Sequence, residues 1–117
     1  MSIKRNNPKP RLADSVEYSG LVYLSGQVPN DLTGDITQQT KDVFAKIDSL
    51  LAASNSDKTR ILSAQVWIKD IKRDFAAFNA VWESWMPIEN SPARAAVEAN
   101  MAREQVLVEI MVIAAQR

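Results

Sequence analysis

The residues able to do chemistry form a restricted set. This chain of 117 residues carries 14 Lys and Arg, 14 Asp and Glu, hydroxyls and amides, but no histidine and no cysteine. That excludes thiolate nucleophiles, a Ser-His-Asp triad, an imidazole proton shuttle and ordinary zinc centres. Any reaction must run on carboxylates, guanidinium and ammonium groups, hydroxyls, backbone groups and water.

Four places combine such groups with a suggestive setting. Arg94 follows Pro92-Ala93 and opens a run of small and apolar residues. It reads either as a solvated or ion-paired surface group, or as a planar fork holding a carboxylate or phosphate at two points. Glu109 stands in the most apolar segment of the chain, flanked on its own strand face by Leu107 and Met111. A carboxylate there needs an explanation: a structural salt bridge, or a group that orients water or exchanges a proton. Ser25-Gly26-Gln27 ends a strand-like run, where a glycine lets a ligand approach the backbone. Asn79 is polar among Phe75, Phe78 and Trp82, and is either an ordinary exposed position or part of a site.

The elements that must position these groups follow from periodicity. Residues 1–14 are basic and proline-marked, forming an N-terminal arm that is irregular or at most a short edge strand. Two β-rich runs within residues 16–28, split by Ser19-Gly20, predict a hairpin. Ile36, Val43, Phe44, Ile47, Leu50 and Leu51 recur at three- and four-residue spacing, predicting a helix over 35–53. Asp35 and Gln38 have the spacing of a capping box at its start. Residues 60–70 alternate, with Leu62, Ala64, Val66 and Ile68 on one face, and predict a strand. A second helix is expected over 72–86, ended by Pro87. Two closing strands, 94–99 and 105–115, are joined by a polar turn around Ala102-Arg103-Glu104.

The order ββαβαββ makes a single α+β domain, a mixed sheet with both helices on one face. The last strand nevertheless carries apolar residues on both sides. Val106, Val108, Ile110 and Val112 alternate with Leu107, Met111 and Ile113. The second face is therefore expected to pack against other subunits, with ligand grooves between them.

Charge and composition narrow the partners. A formal net charge of zero offers no general basic field, which argues against nucleic acid. Lys4, Arg5, Lys9 and Arg11 form one local basic excess, read as a solvated arm or an anion-binding one. The three tryptophans sit at core or interface spacing rather than as base-stacking platforms. Three glycines cannot build a nucleotide-binding loop. No segment is long and apolar enough to span a bilayer, so a cytoplasmic protein without cofactor or metal is expected.

Taken in order, Leu24-Ser25-Gly26-Gln27-Val28-Pro29, Val66-Trp67-Ile68-Lys69-Asp70, Asp74-Phe75-Ala76-Ala77-Phe78-Asn79, Pro92-Ala93-Arg94 and Val108-Glu109-Ile110 resemble the RidA/YjgF family of enamine/imine deaminases. The likeness runs over about residues 15–115. It implies a chorismate-mutase-like fold and a homotrimer with ligand clefts between subunits. It also implies hydrolysis of 2-imino and 2-enamino acids, such as 2-aminoacrylate, to 2-oxo acids and ammonia. By the same resemblance Arg94 would bind the substrate carboxylate and Glu109 would lie by the reacting centre. Ser25, Gly26 and Asn79 would line the cleft. Two positions depart from the better-known members: Leu12 replaces a tyrosine near the cleft entrance, and Ala96 a cysteine two residues after the arginine. Both bear on substrate preference and rate. A different class of function, a non-catalytic trimeric protein that binds or senses small 2-oxo acids, uses the same arginine.

Overall fold

The computed structural model describes residues 2–117. Its strands are β1 (Lys4–Asn6), β2 (Ser15–Tyr18), β3 (Leu21–Leu24), β4 (Ile61–Ile68), β5 (Ala93–Glu98) and β6 (Val108–Ala115). Helix α1 (Ile36–Ala53) follows β3, and α2 (Ile71–Trp85) joins β4 to β5. All six strands form one mixed sheet in the order β1-β2-β3-β6-β4-β5. Only β4 and β5 run parallel, while the other neighbours are antiparallel.

Local chemistry explains the elements. Ser19 and Gly20 both have positive φ, and Tyr18 pairs with Leu21 across them. This is the two-residue turn whose twist suits a β-hairpin. Asp35 caps α1 by accepting from the Gln38 N–H, and the Gln38 side chain returns to the Asp35 N–H. Helix α2 is capped by Asp70, which accepts from the Arg73 N–H.

The apolar stripes of the helices meet one sheet face. Val43, Phe44, Ile47 and Leu51 of α1 and Phe78, Val81 and Trp82 of α2 are buried there. Against them lie Val22, Leu24, Val66, Ile68, Val108, Ile110 and Val112. Each such fully buried side chain contributes roughly 2 kcal/mol of transfer free energy. Phe44 stacks on Trp85 with ring centroids 4.0 Å apart and meets Trp82 edge-on at 5.9 Å.

The structure adds detail to the expected layout and corrects one assignment. The arm forms the short edge strand allowed for it, β1, paired along β2 and preceding the expected ββαβαββ order. The two closing strands do not pair with one another. Strand β6 enters the middle of the sheet between β3 and β4, and β5 becomes an edge. The polar turn is part of a longer connection, residues 99–107, which crosses the end of β4. Burial selects this arrangement, since β6 is the most apolar strand and its Val108, Ile110 and Val112 are almost wholly buried only at the sheet centre. Finally, Leu62 does not share the core face with Ala64, Val66 and Ile68. An irregularity in pairing between Ile61 and Ser63 takes it out of alternation and leaves it 49% exposed.

Candidate functional site

Arg94 lies on the edge strand β5 and pairs in register with Ala64, a core-facing residue. Its side chain is therefore directed to the helix side of the sheet. The guanidinium carbon sits 4.8 Å from the Trp82 ring centroid and 5.7 Å from that of Phe78. Nη2 donates to Asn79 Oδ1 at 3.0 Å. The aromatic faces attract the cation and align its plane. Their cover also desolvates it, which pushes its pKa below the usual arginine range, and the nearby Glu83 partly opposes that shift. The group remains a cation at any physiological pH. Among the described residues no carboxylate forms an ion pair with it. It faces a cavity of about 590 Å³ bounded also by Trp82, Met86, Ile88 and Ser91.

Glu109 belongs to a second cluster. It pairs in register with Trp67 on the sheet face that carries no helix. Its neighbour Ile110 exchanges two backbone hydrogen bonds with Gln27, at 2.8 and 3.0 Å, which draws the 25–27 segment alongside β6. The Glu109 carboxylate then lies directly over Gly26, where a Cβ would collide with Oε2. This is the close approach for which a glycine is required. Ser25 adjoins, its hydroxyl donating to the Ala13 carbonyl at 2.5 Å and its N–H to the Asp14 carbonyl at 3.1 Å. Among the described residues Glu109 has no hydrogen-bond or ion-pair partner, so a structural salt bridge does not account for it. With Trp67 and residues 99–102 it lines a cavity of about 210 Å³.

The expected site residues thus fall into two groups, Arg94 with Asn79 and Glu109 with Gly26 and Ser25. Within one protomer these lie on opposite faces of the sheet. Two strand spacings and three residue rises, about 14 Å along the sheet, separate Arg94 from Glu109. The cation could anchor an anionic group, and the carboxylate could orient a water or carry a proton. A single small substrate cannot touch both in one protomer.

Other contributors to the two clusters carry no functional mark in the sequence. Phe78 and Trp82 act as the platform under Arg94, although their spacing marks them only as core. Glu83 shares the cavity wall, on the face of α2 that looks solvated in sequence. Residues 99–102 wall the Glu109 cavity, which follows from the long crossing connection and from no local pattern. Among the described residues no cluster of three or more His, Cys, Asp or Glu could hold a metal ion, and no helix is long and apolar enough to cross a membrane.

This fold, with two helices on a mixed sheet and an arginine and a carboxylate displayed at separate sheet positions, defines a class of small α+β protein. The sequence profile of the family described as Endoribonuclease L-PSP matches residues 3–116. A RutC family protein of Haemophilus ducreyi is 41% identical over 113 residues, covering 97% of this chain and 96% of the relative. The RutC family protein YoaB of Escherichia coli is 36% identical over 115 residues, covering 98% and 99%. A crystal structure of a YjgF family member from Neisseria meningitidis superposes with a TM-score of 0.96 at 40% identity, covering 100% of this chain and 97% of that one. The chain belongs to the YjgF family, also described as Endoribonuclease L-PSP.

Proposed function

We propose that this protein hydrolyses small 2-imino acids, and the 2-enamino acids that tautomerise to them, giving 2-oxo acids and ammonia. The observation that carries this reading is Arg94: a solvent-accessible guanidinium partly covered by two aromatic rings, with no carboxylate partner among the described residues, held by Asn79 at the rim of a cavity. Such a fork is suited to a substrate carboxylate. Holding that carboxylate places the adjacent C=N carbon in a fixed position, which converts an encounter with water into a positioned attack.

Water adds to the carbon of the protonated imine, forming the C–O bond while the C=N π electrons move to nitrogen. Glu109 accepts the proton that water loses and returns it to nitrogen. As the C–N bond breaks and ammonia leaves, Glu109 takes the remaining hydroxyl proton and the C=O of the 2-oxo acid forms, that proton then passing to ammonia or solvent. No covalent intermediate with the protein is needed, which suits a chain without Cys or His.

The site requires a second copy of the chain, because one protomer keeps its Arg94 and Glu109 apart. The helix-free sheet face leaves Tyr23, Met111 and Val97 between 39% and 46% exposed, beside Trp67 and Ile113. Packing that face in a homotrimer would cover these side chains and bring Arg94 of one subunit to Glu109, Gly26 and Ser25 of the next. The Endoribonuclease description of the family points instead to RNA. Zero net charge and the absence of histidine favour the small anionic substrate.

The test generates 2-iminopropanoate in situ with an amino-acid oxidase and traps it with semicarbazide. Adding the protein should lower the trapped yield, and Arg94→Ala should abolish the effect. Unchanged trapping with retained 2-oxo acid binding would instead establish a binding or sensor protein. A stable monomer in light scattering would overturn the shared site.

A further inference from the structure

We infer that Gln39, a buried residue of α1, is a positioning residue for Glu109. This inference rests on the proposed role of Glu109. Gln39 is 1% exposed and lies behind the sheet, on the helix side, where a primary amide is an unusual occupant. Its Nε2 donates to the Gln105 carbonyl at 2.9 Å, and to that of Gly34 at 3.3 Å. Its Oε1 accepts from the Leu107 N–H at 2.8 Å. The side chain therefore engages residues 105 and 107 as a neighbouring strand would, with one donor and one acceptor, just where the crossing connection becomes β6.

The consequence reaches Glu109 through the backbone. The Leu107 carbonyl accepts from the Lys69 N–H at 3.0 Å, so both polar groups of Leu107 are tied, one to α1 and one to the end of β4. The Lys69 ammonium adds a hydrogen bond to the Glu104 carbonyl. On the far side of Glu109, Ile110 is tied to Gln27. Glu109 is bracketed by Leu107 and Ile110, and only the first of these restraints depends on a side chain.

The same helix restrains the other wall. Asp42 accepts from the N–H groups of Asn30 and Asp31 at 2.7 and 2.9 Å, and Lys46 donates to the Val28 carbonyl at 2.7 Å. Helix α1 thus braces both segments that flank the carboxylate from behind the sheet. Toward Arg94, α1 contributes the packing of Phe44 on Phe78 and Trp82, and the Gln39 hydrogen bonds act on the Glu109 half.

The experiment compares Gln39→Met, which keeps length and loses both kinds of bond, with Gln39→Glu, which keeps the acceptor for Leu107 and loses the donors. Ile47→Val on the same helix is the control for general loosening of the core. In Gln39→Met, the Leu107 amide should lose about tenfold or more of its hydrogen-exchange protection relative to the control. The close contact of the Glu109 side chain with Gly26, followed by NMR, should loosen in that variant and not in Ile47→Val. Imine hydrolysis should lose about tenfold in kcat with KM changed less than about twofold, because the carboxylate clamp is untouched. Gln39→Glu should retain Leu107 protection and more of kcat. Unchanged Leu107 exchange would overturn the clamp. Loss of Leu107 protection with an unchanged Glu109–Gly26 contact would show that Gln39 does not position the carboxylate. A wild type that lacks hydrolysis would instead count against the proposed activity, and the two NMR readouts would still decide the role of Gln39.

Discussion

The contact between Gly26 and Glu109 carries the most at the scale of single residues. The carboxylate occupies the space of the missing Cβ, so Gly26→Ala must displace one or the other. The φ of Gly26 is not in the left-handed region, so the fold should survive while the carboxylate moves. We expect a fall of about tenfold or more in kcat with little change in melting temperature, read from imine hydrolysis and calorimetry. An equal loss of stability would assign the glycine to folding instead. At Arg94 the planar fork matters beyond its charge. Arg94→Lys keeps a cation but gives up the flat contact with Trp82 and two-point binding, so KM should rise roughly tenfold while kcat falls less. An unchanged KM would remove the carboxylate from Arg94.

At the scale of elements, both ends of the polar framework can be tested. Asp35 and Gln38 satisfy each other's backbone at the start of α1, and Asp35→Ala should cost about 1 kcal/mol in denaturant unfolding. The N-terminal strand is tied down by Glu17. Its carboxylate accepts from Asn6 and Gln116, each at 2.8 Å, and from Ser54 at 3.2 Å. The Asn6 bond holds its pKa below the ordinary value, with Gln116 and Ser54 adding to the effect and burial opposing it. A carboxyl whose folded pKa is depressed stabilises the fold above its unfolded pKa, and that contribution is lost as pH falls through the folded value. Thermal unfolding from about pH 7 to about pH 3 should therefore show wild type losing more stability than Glu17→Gln, the two curves converging in acid. Parallel curves would mean that Glu17 does not anchor β1.

The whole molecule decides whether a site exists at all. If Arg94 and Glu109 act from different subunits, Arg94→Ala and Glu109→Gln should each be inactive as pure assemblies. Mixed and reassembled in equal amounts, they should recover about a quarter of wild-type activity, since random neighbours place two intact residues at one site in four. No recovery from a mixture shown by native mass spectrometry to be heteromeric would place the chemistry within one protomer. The exposed sheet face offers an independent test: if it is the subunit interface, Tyr23→Lys on that face should dissociate the assembly and abolish activity.

The legibility of these features differed with their range. The stripe from Val43 to Leu51, the Asp35–Gln38 box and the Ser19-Gly20 turn were readable because each is contained within a turn or two of chain. Leu62 was misassigned because one irregular pairing breaks a period that the sequence itself does not interrupt. The places of the closing strands in the sheet are not legible, because proximity in sequence carries no information on which position each will fill. Arg94, Glu109, Ser25, Gly26 and Asn79 were singled out by residue type, and their grouping into one cleft came through family resemblance. The role of Gln39 is not legible in sequence, since a lone glutamine on a helix carries no local mark of what it reaches.

The sequence by itself determined the inventory and the local geometry: chemistry without thiol or imidazole, two amphipathic helices, a hairpin, and a last strand apolar on both faces. Those properties depend on residue type and on periods of two or 3.6 residues, which are written along the chain. The tertiary structure decided that β6 lies between β3 and β4, that Glu109 rests on Gly26, and that Arg94 turns to the opposite face. Those outcomes depend on which distant segments bury the most apolar surface together while satisfying their backbone groups. That competition is settled only when the whole sheet forms.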